Sequence, residues 1–192
     1  VVTVTTTIDS PRNLLAENYD EFSRIELFGT STKAIYLQRE LDGLGGYILF
    51  NNSQVPLIRL DRATGEMRQI TTKTQFTSPQ DVMPDDSLIA FLVSEDTRGK
   101  GIVTVDPATN VQKFYPITPP APYTTLGTVR FSPSGKEVAF ALAAHNPDAE
   151  RGAVYRLNLT TGKTTLVAAT KPQDNTFLRV LGWTAQDTVI YK

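Results

Sequence analysis

The chain has 192 residues, 40% hydrophobic and 20% charged, with 12 Gly, 12 Pro, one His and no Cys. At roughly 100–200 residues per domain this is one domain or part of one, and 19 Lys and Arg against 20 Asp and Glu leave no broad basic field for nucleic acid or anionic lipid. Without cysteine there is no disulfide, thiolate zinc site or Cys nucleophile, and the single His145 rules out any site that needs two histidines from this chain.

In chain order, Val1–Ile8 is a Val/Thr strand candidate, Pro11–Ala16 a short helical turn, and Ile25–Phe28 and Ala34–Gln38 are two further strand candidates. Residues 1–40 therefore read as a strand and connector segment that either completes the last structural unit by pairing the termini or belongs to a unit upstream. No apolar run approaches the roughly 20 residues of a membrane helix, and Val1–Ser10 lacks a basic-then-apolar signal pattern. The segment reads as soluble, with no direct membrane insertion. It opens on Val rather than Met, which leaves room for a leader or anchor upstream. The Thr-rich start also fits a surface-anchoring segment, and the lack of cysteine fits a periplasmic or extracellular location.

From residue 41 a repeat organises the chain. Ile48-Leu49-Phe50, Ile89-Ala90-Phe91, Val138-Ala139-Phe140 and Val189-Ile190-Tyr191 each join a β-branched residue, an aliphatic and an aromatic, at steps of 41, 49 and 51 residues. Such runs, without polar alternation, predict strands covered on both faces. Six or seven residues earlier stand Leu41, Val82, Phe131 and Trp183, and the intervening Pro84-Asp85-Asp86-Ser87, Ser132-Pro133-Ser134-Gly135 and Thr184-Ala185-Gln186-Asp187 carry turn chemistry. Each pair predicts a hairpin.

A second marker recurs as Asp61-Arg62-Ala63-Thr64-Gly65, Asp106-Pro107-Ala108-Thr109-Asn110 and Asn158-Leu159-Thr160-Thr161-Gly162. It ends on Gly or Asn, the residues that most readily adopt the left-handed conformation. Before it lies a half-alternating strand (Ile58 and Leu60; Val103 and Val105; Tyr155 and Leu157), and after it a more polar one (Met67–Thr71, Val111–Tyr115, Thr164–Ala168). Four-stranded units at this period predict an all-β fold of antiparallel β-propeller blades, near residues 41–72, 78–116 and 127–169, with a partial blade at 179–192. About four blades' worth of chain is expected to form part of a larger propeller. An open last blade would leave Thr188–Lys192 as an unpaired edge.

The run Val129-Arg130-Phe131-Ser132-Pro133-Ser134-Gly135-Lys136-Glu137-Val138-Ala139-Phe140, with Val154-Tyr155-Arg156-Leu157-Asn158 and Thr161-Gly162 downstream, resembles the repeat of TolB-type β-propellers. It departs at Ser134, where that repeat has Asp. The resemblance covers residues 41–192 and implies a propeller of the kind found in periplasmic scaffolds, in propellers that gate peptidases and in surface proteins. It carries over no active-site residue.

Candidate chemistry is sparse. His145, in the polar stretch Ala143–Arg151, could act as a base paired with Asp148 or Glu150, against the plainer reading of an exposed loop histidine. No Gly-x-Ser-x-Gly elbow occurs. Asp85 with Asp86, and Glu95 with Asp96, offer clustered oxygens for calcium, but turn capping accounts for them without a metal. Gly43, Gly45 and Gly46 precede a strand rather than a Gly-Lys-Ser or Gly-Lys-Thr, so no phosphate loop is expected. Phe131 and Trp183 occupy one repeat position and are expected in the core. Pro116–Tyr123 is either a stiff connector or a displayed polyproline ligand. Asn51-Asn52-Ser53 and Asn158-Leu159-Thr160 match the glycosylation sequon by composition only. No catalytic, cofactor-binding or metal residue is assigned, and no cofactor is expected. The expectation is a non-enzymatic scaffold that binds another protein at the cell envelope through blade-end loops such as Ser94–Gly101 and Ala144–Gly152. The alternative is an accessory propeller of a hydrolase or peptidase, or a sugar- or peptide-binding propeller, with catalytic residues outside this chain.

Overall fold

The computed structural model describes residues 23–41, 57–70, 77–93, 99–146, 149–171 and 174–192. The first sheet contains β1 (Ser23–Thr30), β2 (Ala34–Leu41), β3 (Leu57–Asp61) and β4 (Met67–Ile70), and the second β5 (Thr77–Val82), β6 (Ile89–Val93), β7 (Gly101–Val105) and β8 (Gln112–Pro116). The third contains β9 (Thr125–Phe131), β10 (Glu137–Asn146), β11 (Ala149–Asn158) and β12 (Thr164–Ala169), and a two-stranded fourth contains β13 (Val180–Trp183) and β14 (Val189–Tyr191). Every pairing between the described strands is antiparallel, with one isolated parallel bridge between Arg151 and Thr176, and strand order follows chain order within each sheet. β1 packs on β5, β5 and β6 on β9, and β9 and β10 on β13, so the sheets stack face to face in sequence.

Three apolar cores fill the spaces between the four sheets. Ile89, Phe91 and Val93 of β6 face back to Ala34, Tyr36 and Leu57 of the first sheet, while Ala90 and Leu92 face forward to Val129, Val138 and Phe140 of the third. β10 repeats this division: Val138, Phe140 and Leu142 turn back, and Ala139 and Ala141 turn forward to Val180 and Val189. A strand alternates its side chains between faces; a strand between two sheets therefore needs apolar residues at every position. That is why these runs show no polar alternation. Burial is highest in the second and third strands (β6 and β7 are buried throughout) and falls in the outermost, where β12 is almost wholly exposed.

The turns repeat in atomic detail. In each Asx turn the leading Asp61, Asp106 or Asn158 accepts from the backbone N–H groups two and three residues on. The residue after the threonine takes a left-handed φ: 73° at Gly65, 58° at Asn110 and 72° at Gly162. The hairpins joining first to second strands share another left-handed position, at Asp86, Gly135 and Asp187.

Three expectations change. β1 and β2 contain Ile25–Phe28 and Ala34–Gln38, and they pair with β3 to build the first sheet rather than closing the last one or joining a unit upstream. The first unit therefore runs from Ser23 to Ile70, with Leu41 ending its second strand; Ile48–Phe50, expected as a strand, lies outside the described residues. The stretch Ala144–Gly152 is not a loop: β10 and β11 stay paired out to His145 with Glu150 and Asn146 with Ala149, a hairpin longer than its equivalents. Val1–Ile8, Pro11–Ala16, Gly43, Gly45, Gly46, Asn51–Ser53, Glu95, Asp96 and Asp148 also lie outside the described residues, as do the side chains of His145 and Glu150.

Candidate functional site

In these up-and-down sheets the two kinds of tight turn gather at one end, while the end of β2, the start of β3, the last residues of β6, β8 and β10 and the first of β7 and β11 lie at the other. The tight-turn end is a fastening. Asp86, 6% exposed, reaches from the β5–β6 turn into the first sheet, where it accepts from Tyr36 Oη at 2.6 Å, Ser31 Oγ at 2.7 Å and Arg59 Nη2 at 2.8 Å. Thr32 N–H also donates to the Pro84 carbonyl at 2.7 Å. Burial alone would raise the Asp86 pKa, but the three donors and the guanidinium charge outweigh it, and the net shift is downward. Burial first, and Asp86 second, push the Tyr36 phenol well above its ordinary value. Asp85 accepts from Ser87 Oγ at 2.6 Å as a turn cap. Of the four acids singled out as oxygen ligands, Asp85 and Asp86 are thus held by hydrogen bonds, and among the described residues no group of three or more His, Asp or Glu converges.

Between the second and third sheets, straps run from outer strand to next turn. Lys113 Nζ and Tyr115 Oη both donate to the Leu159 carbonyl at 2.8 Å, and in the same repeat position Arg68 reaches the Ala108 carbonyl one sheet earlier. At the inner strands Asp81 accepts from Phe131 N–H at 2.8 Å; burial raises its pKa, against the pull of that bond and of Arg130. Phe131 lies in the core, and Trp183 packs on the next core with its Nε1 donating to the Arg130 carbonyl at 3.0 Å.

The connector from Pro116 to Tyr123 is anchored at Ile117, while Pro116, Thr118, Pro120, Ala121 and Pro122 are exposed. Ile117 is buried and its N–H donates to the Lys100 carbonyl, while Tyr123 N–H donates to that of Pro120. Beside it opens a cleft of about 240 Å³. Pro116, Ile117 and Pro120 form one wall; Phe140, Leu142 and Tyr155 form the other, with Thr118, Gly162 and Thr164 at its margins. The Phe140 and Tyr155 rings stack at 5.7 Å between centroids. Among the described residues lining the cleft none is charged. Phe140 and Leu142 are almost fully buried, so the accessible surface is shared between polar and apolar atoms and carries no charge, which is chemistry for holding a neutral, hydrogen-bonding group. Its lining comes from three separated segments, so sequence reading missed it; the clue available was the proline cluster that forms one wall.

No family model matches the chain, and no curated protein is significantly similar to it. Among solved structures it is similar to an acylaminoacyl peptidase of Pyrococcus horikoshii, with a TM-score of 0.56 and 12% identity over 80% of this chain and 26% of that one. It is also similar to an oligogalacturonate lyase of Vibrio parahaemolyticus, with a TM-score of 0.54 and 12% identity over 79% of this chain and 39% of that one. TolB of Acinetobacter baumannii aligns at 17% identity over 73% of this chain and 30% of that one, but its TM-score of 0.48 is too low to support an argument. The chain thus spans between about a quarter and two fifths of the length of these proteins. With the stacked four-stranded sheets, these likenesses establish the fold: the chain forms successive blades of a β-propeller, which do not close into a ring among the described residues.

Proposed function

We propose that this chain is a non-enzymatic propeller segment that binds another protein, with the cleft between the second and third sheets as its anchor point. The observation that carries this reading is the uncharged lining, where Tyr155, the prolines and the threonines supply the accessible surface beside the nearly buried Phe140 and Leu142. Aromatic anchors in preformed pockets dominate protein recognition. The TolB-like motif between Val129 and Phe140 supports placing it among envelope scaffolds.

The test is affinity capture from the source organism with the wild-type chain and with Tyr155→Ser and Thr164→Arg. A protein retained by the wild type and lost by both variants, with the fold intact, supports the reading. Equal retention by all three, or hydrolytic activity of the chain itself, refutes it. The second reading, an accessory propeller of a hydrolase, draws on the fold shared with the Pyrococcus peptidase, and a catalytic domain encoded on the same polypeptide would favour it.

A further inference from the structure

The first and third sheet interfaces share equivalent register and turn positions. Strand pairing sets Arg59 opposite Tyr36 in the first sheet and Arg156 opposite Ala139 in the third. Asp86 and Asp187 occupy the same left-handed turn position, with φ of 68° and 57°, and each amide donates to the carbonyl three residues earlier. The first interface satisfies its aspartate fully, through Ser31, Tyr36 and Arg59.

The third interface supplies none of these donors. Ser132 Oγ lies 3.1 Å from Ser134 Oγ, Ala139 stands where a phenol would be, and Arg156 is paired with Glu137 of its own sheet. Asp187 Oδ1 is left buried with no hydrogen-bond partner. A buried polar atom without a partner is rare in a native structure and calls for a physical reason. Arg156 reaches the fourth sheet: its guanidinium lies 5.2 Å from the ring centroid of Trp183, the last residue of the strand that leads into the Asp187 turn.

We propose that Arg156 is a two-position latch. In one position it pairs with Glu137 within the third sheet, as seen here. In the other it bonds to Asp187 and fastens the fourth sheet to the third, as Arg59 fastens the second sheet to the first through Asp86. Each position satisfies one carboxylate and leaves the other without its cation, so two arrangements compete. A basic group of a partner that engages Glu137 would release Arg156 to Asp187 and tighten the fourth sheet.

Native-state hydrogen exchange of the β13 and β14 amides, measured on the whole chain, tests this. With Glu137→Gln, Arg156 moves to Asp187 and exchange in β13 and β14 slows about tenfold, as expected for a gained charge-assisted bond. Adding Asp187→Asn abolishes the slowing, whereas Asp187→Asn alone changes exchange by less than about twofold. Exchange unchanged or faster in Glu137→Gln, or a slowing that survives Asp187→Asn, overturns the proposal. Should Glu137→Gln fail to fold, Glu137→Asp, whose shorter side chain weakens the bond to Arg156, must slow the same amides; no slowing there overturns it equally.

Discussion

Replacing Asp86 with alanine removes the single acceptor shared by Tyr36, Ser31 and Arg59 across the first sheet interface. The Tyr36 hydroxyl, on a side chain with no exposed surface, is then stranded at a cost of about 1–3 kcal/mol. Breaking a buried ion pair costs about 3–5 kcal/mol, but Arg59 keeps Asp61 at 3.1 Å and is 13% exposed, so the lower end applies. Ser31 keeps a weak contact with the Ala34 carbonyl. The expected total is a loss of about 4–6 kcal/mol, read as the urea midpoint shift at constant slope. Asp86→Gly separates the carboxylate from the backbone. At φ 68° glycine avoids the roughly 1 kcal/mol left-handed penalty that alanine incurs, so it should lose about 1 kcal/mol less than alanine does. Because the Asp86 pKa is lowered by folding, its contribution is complete above the ordinary carboxylate range and is lost as pH falls through the folded value. Asp86→Asn should therefore flatten the acid limb of stability against pH. Losses under about 0.5 kcal/mol, equal for alanine and glycine, would refute the reasoning, since that is the range of an ordinary surface change.

Gly152→Ala should be the most disruptive single-methyl change, because the added carbon would meet the Leu178 amide and lie 3.1 Å from Phe177 Cα; a loss of about 3 kcal/mol in thermal unfolding is expected, and under 1 kcal/mol would show that the 174–178 segment yields. Gly162→Ala, at φ 72° in open space, should cost only about 1 kcal/mol, while Asn110→Gly should be neutral, as paired urea titrations would show. The raised Tyr36 pKa means that stability is complete below the ordinary tyrosine value of about 10 and falls as pH rises beyond it; Tyr36→Phe should remove that alkaline loss in melts between about pH 9 and 11.5. The Asp61 carboxyl, held at about 2 by the Thr64 and Ala63 amides and then by Arg59, should stay ionised in a carbonyl-labelled NMR titration until well below the ordinary carboxylate value.

The blade architecture was legible because its signals are local. Ile89-Ala90-Phe91 and Val138-Ala139-Phe140 record a strand squeezed between two sheets, and Asp61-Arg62-Ala63-Thr64-Gly65 records a turn that its own side chain closes. Sequence erred where a local pattern had two meanings. The polar residues around His145 read as a loop, yet backbone pairing carries the hairpin through them, since a projecting hairpin needs no apolar face. Ala34–Gln38 was legible as a strand but not as the second strand of a sheet, since Tyr36 stands where β6 and β10 carry Ala90 and Ala139; its phenol reaches Asp86 in the next sheet. That network joins residues 27 to 55 positions apart, and the cleft joins three segments, so neither leaves a periodic trace.

The central claim is that the sheets stack in sequence order, beginning with β1 and β2 in the first. Cross-strand backbone nuclear Overhauser effects test it directly. The account predicts contacts of Tyr36 with Arg59 and Leu37 with Ile58, together with inter-sheet contacts between the Tyr36 ring and the Asp86 turn. Contacts of β2 with β14 in their place would mean that the N-terminal strands complete the last sheet, and would contradict the account.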